Sequence, residues 1–364
     1  MKNKVIAASI IAFVGLVLFI LFAAEPVHKQ GFFEPVSVTD IGAVENKASA
    51  KAEVRYPFVS HTFFGFFNES GQVVFSKEQP PYFSVSDSLW TAYDFIDAAE
   101  STAPELAEPA QAKIIASDGT ELCSVAANGF IHVRNDRIFV FLPSGNSLCE
   151  YDKTGKLLWM YSMSGIITAF DCTSELLVLG ASDGSVACLD KNGEEKFSFY
   201  PGGSTVQIIY GLAVSEKGKY IGCVCGLEQQ RFMLIEINDY HKTVFHTFLK
   251  NSTRLQVTML FDKQSRYLFS ETAEGLVILD CANFRFTQTK VRGHLRSYAV
   301  ETNDRTFALL TQEERKGYIT AFDARCRQVG QTDFDCSSAS MIQTKNNFYL
   351  IADDKLLTFQ LKKQ

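Results

Sequence analysis

The sequence predicts an all-β domain built from repeated four-stranded units and preceded by one apolar N-terminal helix. Three observations carry this. Residues 5–24 hold no charge, no long segment after them has helical periodicity, and a strand-turn-strand pattern returns about every 42 residues. The chain has 364 residues, 46% apolar and 21% charged, a balance that excludes disorder and leaves ample material for a large core. Without Lys2 and Lys4 the remainder carries 33 basic against 41 acidic residues. A surface that acidic makes nucleic acid an unexpected partner.

Residues 5–24 (VIAASIIAFVGLVLFILFAA) form the first element. As a helix these 20 residues span ~30 Å, the hydrocarbon thickness of a bilayer. An uncleaved anchor is favoured over a signal peptide, whose cleavage site needs small residues. A cut after Ala24 or Ala23 would place Phe22 or Leu21 at the third residue before it. The first cysteine is Cys123, so there is no lipid-bearing Cys at a cleavage point. Lys2 and Lys4 precede the span and Glu25 follows it, which sets the N-terminus in the cytoplasm and the bulk of the chain outside. In a bacterium this is a single-pass inner-membrane protein with a periplasmic domain. Residues 25–55, with Pro26, Pro35 and an Ala/Lys/Glu/Ser stretch, read as a linker.

From residue 56 to 364, short runs rich in Val, Ile, Phe and Tyr alternate with Gly, Asn, Asp and Ser turns. The clearest copies of the repeat are residues 148–159 (LCEYDKTGKLLW) and 186–197 (VACLDKNGEEKF). The turn position is Asp152, Asp190, Asn238, Asp280 and Asp323, with intervals of 38, 48, 42 and 43 residues. Weaker copies fall at Asn68, Ala116 and Gln360. That period is the length of one four-stranded blade, so the fold class is a β-propeller. After Gln360 the last unit has no room for its fourth strand, whereas residues 72–76 follow the first mark as an orphan strand. Pairing the two ends closes the ring, and this count gives seven blades. Eight follow if residues 58–67 belong to a fuller first blade.

The endings Tyr151-Asp152, Leu189-Asp190, Leu279-Asp280 and Phe322-Asp323 resemble the Trp-Asp ending of WD40 repeats, and Gly293-His294 resembles their Gly-His opening. The pattern over 152–159 looks more like the PQQ-type repeats of quinoprotein dehydrogenases and bacterial envelope scaffolds. The resemblance covers roughly residues 60–361 and implies a propeller. Quinoprotein dehydrogenases carry a docking Trp in each repeat, while this chain has only Trp90 and Trp159 and shows no match to their cofactor site. No cofactor is expected.

Gly180-Ala-Ser182-Asp-Gly184 fits the G-x-S-x-G nucleophile elbow, which requires a strand-to-helix turn. Both flanks here read as strands, so a hairpin turn explains the same residues. Asp190-Lys-Asn-Gly193 lacks the other ligands of a calcium loop and reads as a turn. Cys223 and Cys225 share a strand face without a partner pair, and the nine cysteines read as buried small hydrophobes. The six histidines (28, 61, 132, 241, 246, 294) have no metal spacing, and His294 reads as an inter-strand hydrogen bonder. Residues 94–113, with five acidic residues, read as a solvated loop, and Asn68 and Asn251 head glycosylation sequons. The expectation is a non-catalytic scaffold that binds other proteins. The alternative is an enzyme or small-ligand sensor with its site in the central channel.

Overall fold

A computed structural model describes residues 31–45, 54–93, 111–126, 128–238, 240–300, 306–344 and 347–363, with Phe13, Gly15, Leu16 and Phe19. Two compact units result, Met1–Glu34 with Gln360–Gln364, and Pro35–Phe359. In the first, Phe13, Gly15, Leu16 and Phe19 are helical, and their three large side chains are exposed. The predicted span 5–24 otherwise lies outside the described residues, and among those no helix is long and apolar enough to cross a membrane.

The second unit is a ring of eight antiparallel sheets. Blade 1 is β2 (Arg55–Val59), β3 (Phe63–Asn68) and β4 (Val73–Glu78), with an isolated bridge from Val44 to Ser76 on the outer side of β4. Blade 2 is β5 (Tyr82–Val85), β6 (Leu89–Tyr93), β7 (Gln111–Ala116) and β8 (Glu121–Ala126). Blade 3 is β9 (Phe130–Arg134), β10 (Arg137–Phe141), β11 (Ser147–Tyr151) and β12 (Leu157–Ser162). Blade 4 is β13 (Ile167–Cys172), β14 (Leu176–Ala181), β15 (Val186–Asp190) and β16 (Glu195–Phe199). Blade 5 is β17 (Ile209–Val214), β18 (Tyr220–Cys225), β19 (Arg231–Ile237) and β20 (His241–Phe248). Blade 6 is β21 (Met259–Phe261), β22 (Tyr267–Thr272), β23 (Gly275–Asp280) and β24 (Arg285–Thr289). Blade 7 is β25 (His294–Val300), β26 (Phe307–Glu313), β27 (Lys316–Phe322) and β28 (Gln328–Asp335). Blade 8 takes β29 (Ala339–Gln343), β30 (Phe348–Ala352) and β31 (Lys355–Lys363) from the end of the chain, and β1 (Gly31–Asp40) as its outermost strand.

Eight blades replace the seven expected, because residues 58–67 do supply β2 and β3 of a fuller first blade. The closing strand is also corrected. Residues 72–76 stay in their own sheet as part of β4, and β1, inside the stretch read as a linker, completes blade 8.

The repeat has a simple cause. Asp152 Oδ1 accepts the N–H groups of Thr154 and Lys156 at 2.8 and 3.0 Å, and Asp190 and Asp323 hold their third-to-fourth-strand turns the same way. The Thr154 hydroxyl and these N–H groups hold the Asp152 carboxyl below its usual range. Each turn glycine then takes positive φ, +83° at Gly155 and +80° at Gly193. The Asp190 site is therefore a turn.

Packing between blades uses the alternating apolar faces, and at the three-stranded blade it is aromatic. Phe64 is fully buried, with ring centroids 4.9 Å from Phe83, 5.6 Å from Trp90 and 6.3 Å from Phe75.

Blade 1 also departs from the others in direction. Its β2–β3 turn (Ser60, Thr62) bonds Asp354 between β30 and β31, whereas Glu69, between β3 and β4, bonds Thr344 between β29 and β30. Strand β2 therefore runs antiparallel to β29 and, by the same alternation, to the inner strands of the other blades. Pro57 shows why it stands at an edge. The Ser60 N–H to Phe63 O bond sets the ladder so that Tyr56 and Phe58 face β3 with their backbone groups, and Pro57 faces the open side. A proline there has no N–H to offer a further strand.

Candidate functional site

A propeller can act through its central channel or through the loops at either end. In the channel, polar side chains of one inner strand satisfy backbone groups of the next. Ser84 accepts the Val133 N–H at 3.0 Å, Asp171 accepts Val214 at 2.8 Å and Ser297 accepts Met341 at 2.8 Å. Gln343 accepts the Val300 N–H at 2.8 Å and donates to the Val300 carbonyl at 2.7 Å. Sheet edges that would otherwise stand unpaired are thus closed by side chains. Asp171 pairs through its other oxygen with Arg134 at 2.6 Å, but burial outweighs that cation and raises its pKa.

His132 stands edge-on to Phe170 with centroids 4.9 Å apart, and burial, helped by Arg134, pushes its imidazole down to about 4. The folded protein then refuses a proton that the unfolded chain accepts near pH 6.5. Stability from the neutral imidazole is present above that pH and falls as pH drops toward about 4, by about 3 kcal/mol in all. Denaturant melts of wild type and His132→Phe over this range should diverge accordingly. Parallel curves would show that His132 does not titrate this way.

The sequence-flagged residues are dispersed. Ser182 lies in the β14–β15 hairpin, where its Oγ accepts the Ile166 N–H at 3.1 Å, so the G-x-S-x-G run is a turn. Cys223 and Cys225 are buried in β18, and all nine cysteines are free. His241 stacks on Phe199 at 4.1 Å, and His294 is exposed with Nδ1 3.6 Å from Glu271. Asn68 is buried and its Oδ1 holds the Ser70 and Gln72 N–H groups, whereas Asn251 is exposed. Residues 94–110 of the acidic segment lie outside the described residues. Among the described residues no three His, Cys, Asp or Glu side chains are grouped to hold a metal.

What the structure does assemble is an apolar surface at one end of the ring. Connections from an outermost strand to the next innermost strand carry Ile166, Tyr200, Val206 and Leu255, and Phe248 ends β20; all are 38–64% exposed. The loops are knit together. Ser182 N–H bonds Ile166 O at 2.8 Å, Leu227 N–H bonds Val206 O at 3.1 Å and Gln230 bonds Thr253 O at 3.2 Å. Arg231 donates to Pro201 O at 2.9 Å, and its guanidinium lies 5.4 Å from the Phe248 ring centre. The connection that carries Leu255 also holds Lys250 and Arg254, the following one adds Lys290 and Arg292, and residues 163–166, 200–208, 249–258 and 290–293 contain no Asp or Glu. Carboxylates at this end come from hairpin turns, where Asp183 is bonded to Ser185, Glu274 to Asn251 and, at 3.8 Å, to Lys250, and Glu228 is exposed beside Leu227.

Sequence reasoning missed this surface. The available signal was a large apolar residue among Gly, Ser and Pro in successive connections.

Solved structures share the architecture. BamB from Moraxella catarrhalis superposes with a TM-score of 0.60 at 12% identity, over 90% of this chain and all of that one. The computationally designed Ika8 protein gives 0.60 at 14% identity, over 89% and 99%. A chain of the mitotic checkpoint complex gives 0.51 at 10%, over 92% and 94%. These likenesses show the fold. An uncharacterized protein of Treponema pallidum (strain Nichols) is 30% identical over 348 residues, covering 93% of this chain and 89% of the relative. With a family model for beta-propeller proteins matching residues 1–364, the chain belongs to that beta-propeller protein family.

Proposed function

We propose that this protein is a non-catalytic scaffold that binds another protein, held by residues 5–24 at the extracytoplasmic side of a membrane. The observation that carries the reading is the apolar surface of Ile166, Tyr200, Val206, Phe248 and Leu255. Exposed apolar residues on interlocked loops, with an aromatic and Arg component, are the composition of a protein interface. Arg254, Lys290 and Arg292 beside it favour a partner segment with apolar anchors at one end and carboxylates at the other. Engagement of the channel's polar groups in backbone pairing supports a structural use for them.

Crosslinking and pull-down of the intact membrane protein should recover a partner, and Tyr200→Asp with Leu255→Asp should abolish capture while the melting temperature holds. Recovery of no partner, or equal capture by the variant, would sink the proposal. The topology has its own test. A reporter fused at Gln364 should be active only outside the cytoplasm, and activity confined to the cytoplasm would reverse the orientation.

A further inference from the structure

At the opposite end of the ring, where the first-to-second-strand turns lie, blade 1 has three strands among the described residues. Strand β2 occupies the innermost position in the reverse direction, and Pro57 denies its open edge a backbone donor. A cavity of ≈ 230 Å³ lies beside it, lined by Tyr56, Lys263, Gln264, Tyr298, Gln343 and Thr344, with Val300. Four consecutive blades contribute, and no single repeat encodes the cavity.

Its walls are fixed before any ligand arrives. Glu69 accepts the Tyr56 hydroxyl through one oxygen and the Thr344 hydroxyl through the other at 2.8 Å, clamping two walls of the cavity to one carboxylate. Tyr56 in turn stacks on Phe67 at 5.6 Å, and Tyr349 donates to the Glu69 carbonyl at 2.6 Å. Gln343 is held by both bonds to Val300. Burial and the Glu69 bond push the Tyr56 phenol up to about 12, so it stays a neutral donor. Among the described residues, the side chains left to meet a ligand are Lys263 and Gln264, both exposed on the β21–β22 turn.

Size and charge narrow the ligand. The volume lies below the roughly 300–1,000 Å³ of drug-sized sites, so one ring fits. Among the described residues Lys263 is the one charged side chain of the lining, and Asp262 and Glu216 lie near enough to act on Tyr298, so the opposite charges offset and neither sign of ligand charge is favoured. Two tyrosine rings supply apolar surface, while the Gln264 amide and the Lys263 ammonium supply directed hydrogen bonds.

We infer that this cavity binds a neutral polyhydroxylated ring, a single saccharide unit, between Tyr56 and Tyr298 with its hydroxyls on Lys263 and Gln264. The site is independent of the scaffold reading, whose surface is at the other end of the ring.

The test is saturation-transfer NMR on the intact protein with glucose and N-acetylglucosamine as probes. Transfer to at least one sugar is expected, and Lys263→Ala with Gln264→Ala should weaken its binding roughly tenfold through the lost hydrogen bonds, with an unchanged melting temperature. Tyr200→Asp with Leu255→Asp should bind the sugar as wild type does. Absence of transfer to both sugars, equal transfer in the Lys263/Gln264 variant, or displacement of the sugar by acetate would overturn the assignment.

Discussion

Replacing Arg137 with Ala should destabilise the propeller by about 3–5 kcal/mol, the range for removing one partner of a buried ion pair. Arg137 opens β10 and reaches Glu150 on β11 through two parallel bonds of 2.7 Å each, with only 7% and 6% of the two side chains exposed. Its remaining nitrogen donates to the Thr173 and Leu176 carbonyls of blade 4 at 3.2 and 3.0 Å, so one guanidinium ties two blades together. The Ala variant strands the Glu150 carboxylate away from water. Arg137→Met combined with Glu150→Leu should recover most of the loss, because the charge needing a partner goes with the partner. Denaturant unfolding of the three variants decides it. An Ala variant within about 1 kcal/mol of wild type would mean that water already reaches the pair.

Phe64→Ala should cost a similar amount, about 3–5 kcal/mol, by opening a cavity among Phe83, Trp90 and Phe75. The effect should be large because blade 1 has three strands and relies on aromatic packing against blade 2. Phe130→Ala is the matched control. That ring is 55% exposed at the start of β9 and meets Tyr82 with centroids 6.0 Å apart, so its loss should cost about 1 kcal/mol, well below the Phe64 variant. Equal melting temperatures for the two variants would show that the blade 1 cluster packs loosely.

The middle blades were legible because each announces itself locally. An Asp that binds N–H groups two and four residues ahead, with a residue at positive φ three places on (Gly155, Gly193 and Cys326), is written within one turn, so Asp152, Asp190 and Asp323 recur with the blade. The ends were not legible for the same reason. Strand β1 contains Pro35 and has largely exposed side chains over 35–40, so it reads as a linker until β31 arrives more than 300 residues later to pair with it. The sheet joined by residues 72–76 likewise depends on which edge is free, and that is a property of the closed ring.

The two candidate surfaces divide in the same way. Tyr200 and Leu255, or Tyr56 and Tyr298, are far apart along the chain and belong to different blades, so no motif spacing links them. Likewise, Asp171 and Gln343 read as polar strand residues, and only the neighbouring inner strand shows that they cap backbone groups.

By itself the sequence determined an all-β repeat, its period and the turn chemistry that sets it, because those interactions close within a dozen residues. Tertiary structure alone decided the eighth blade, the reversed inner strand at Pro57 and both candidate surfaces. Each of these arises where strands from different repeats meet, and a ring fixes such meetings only when its two ends pair.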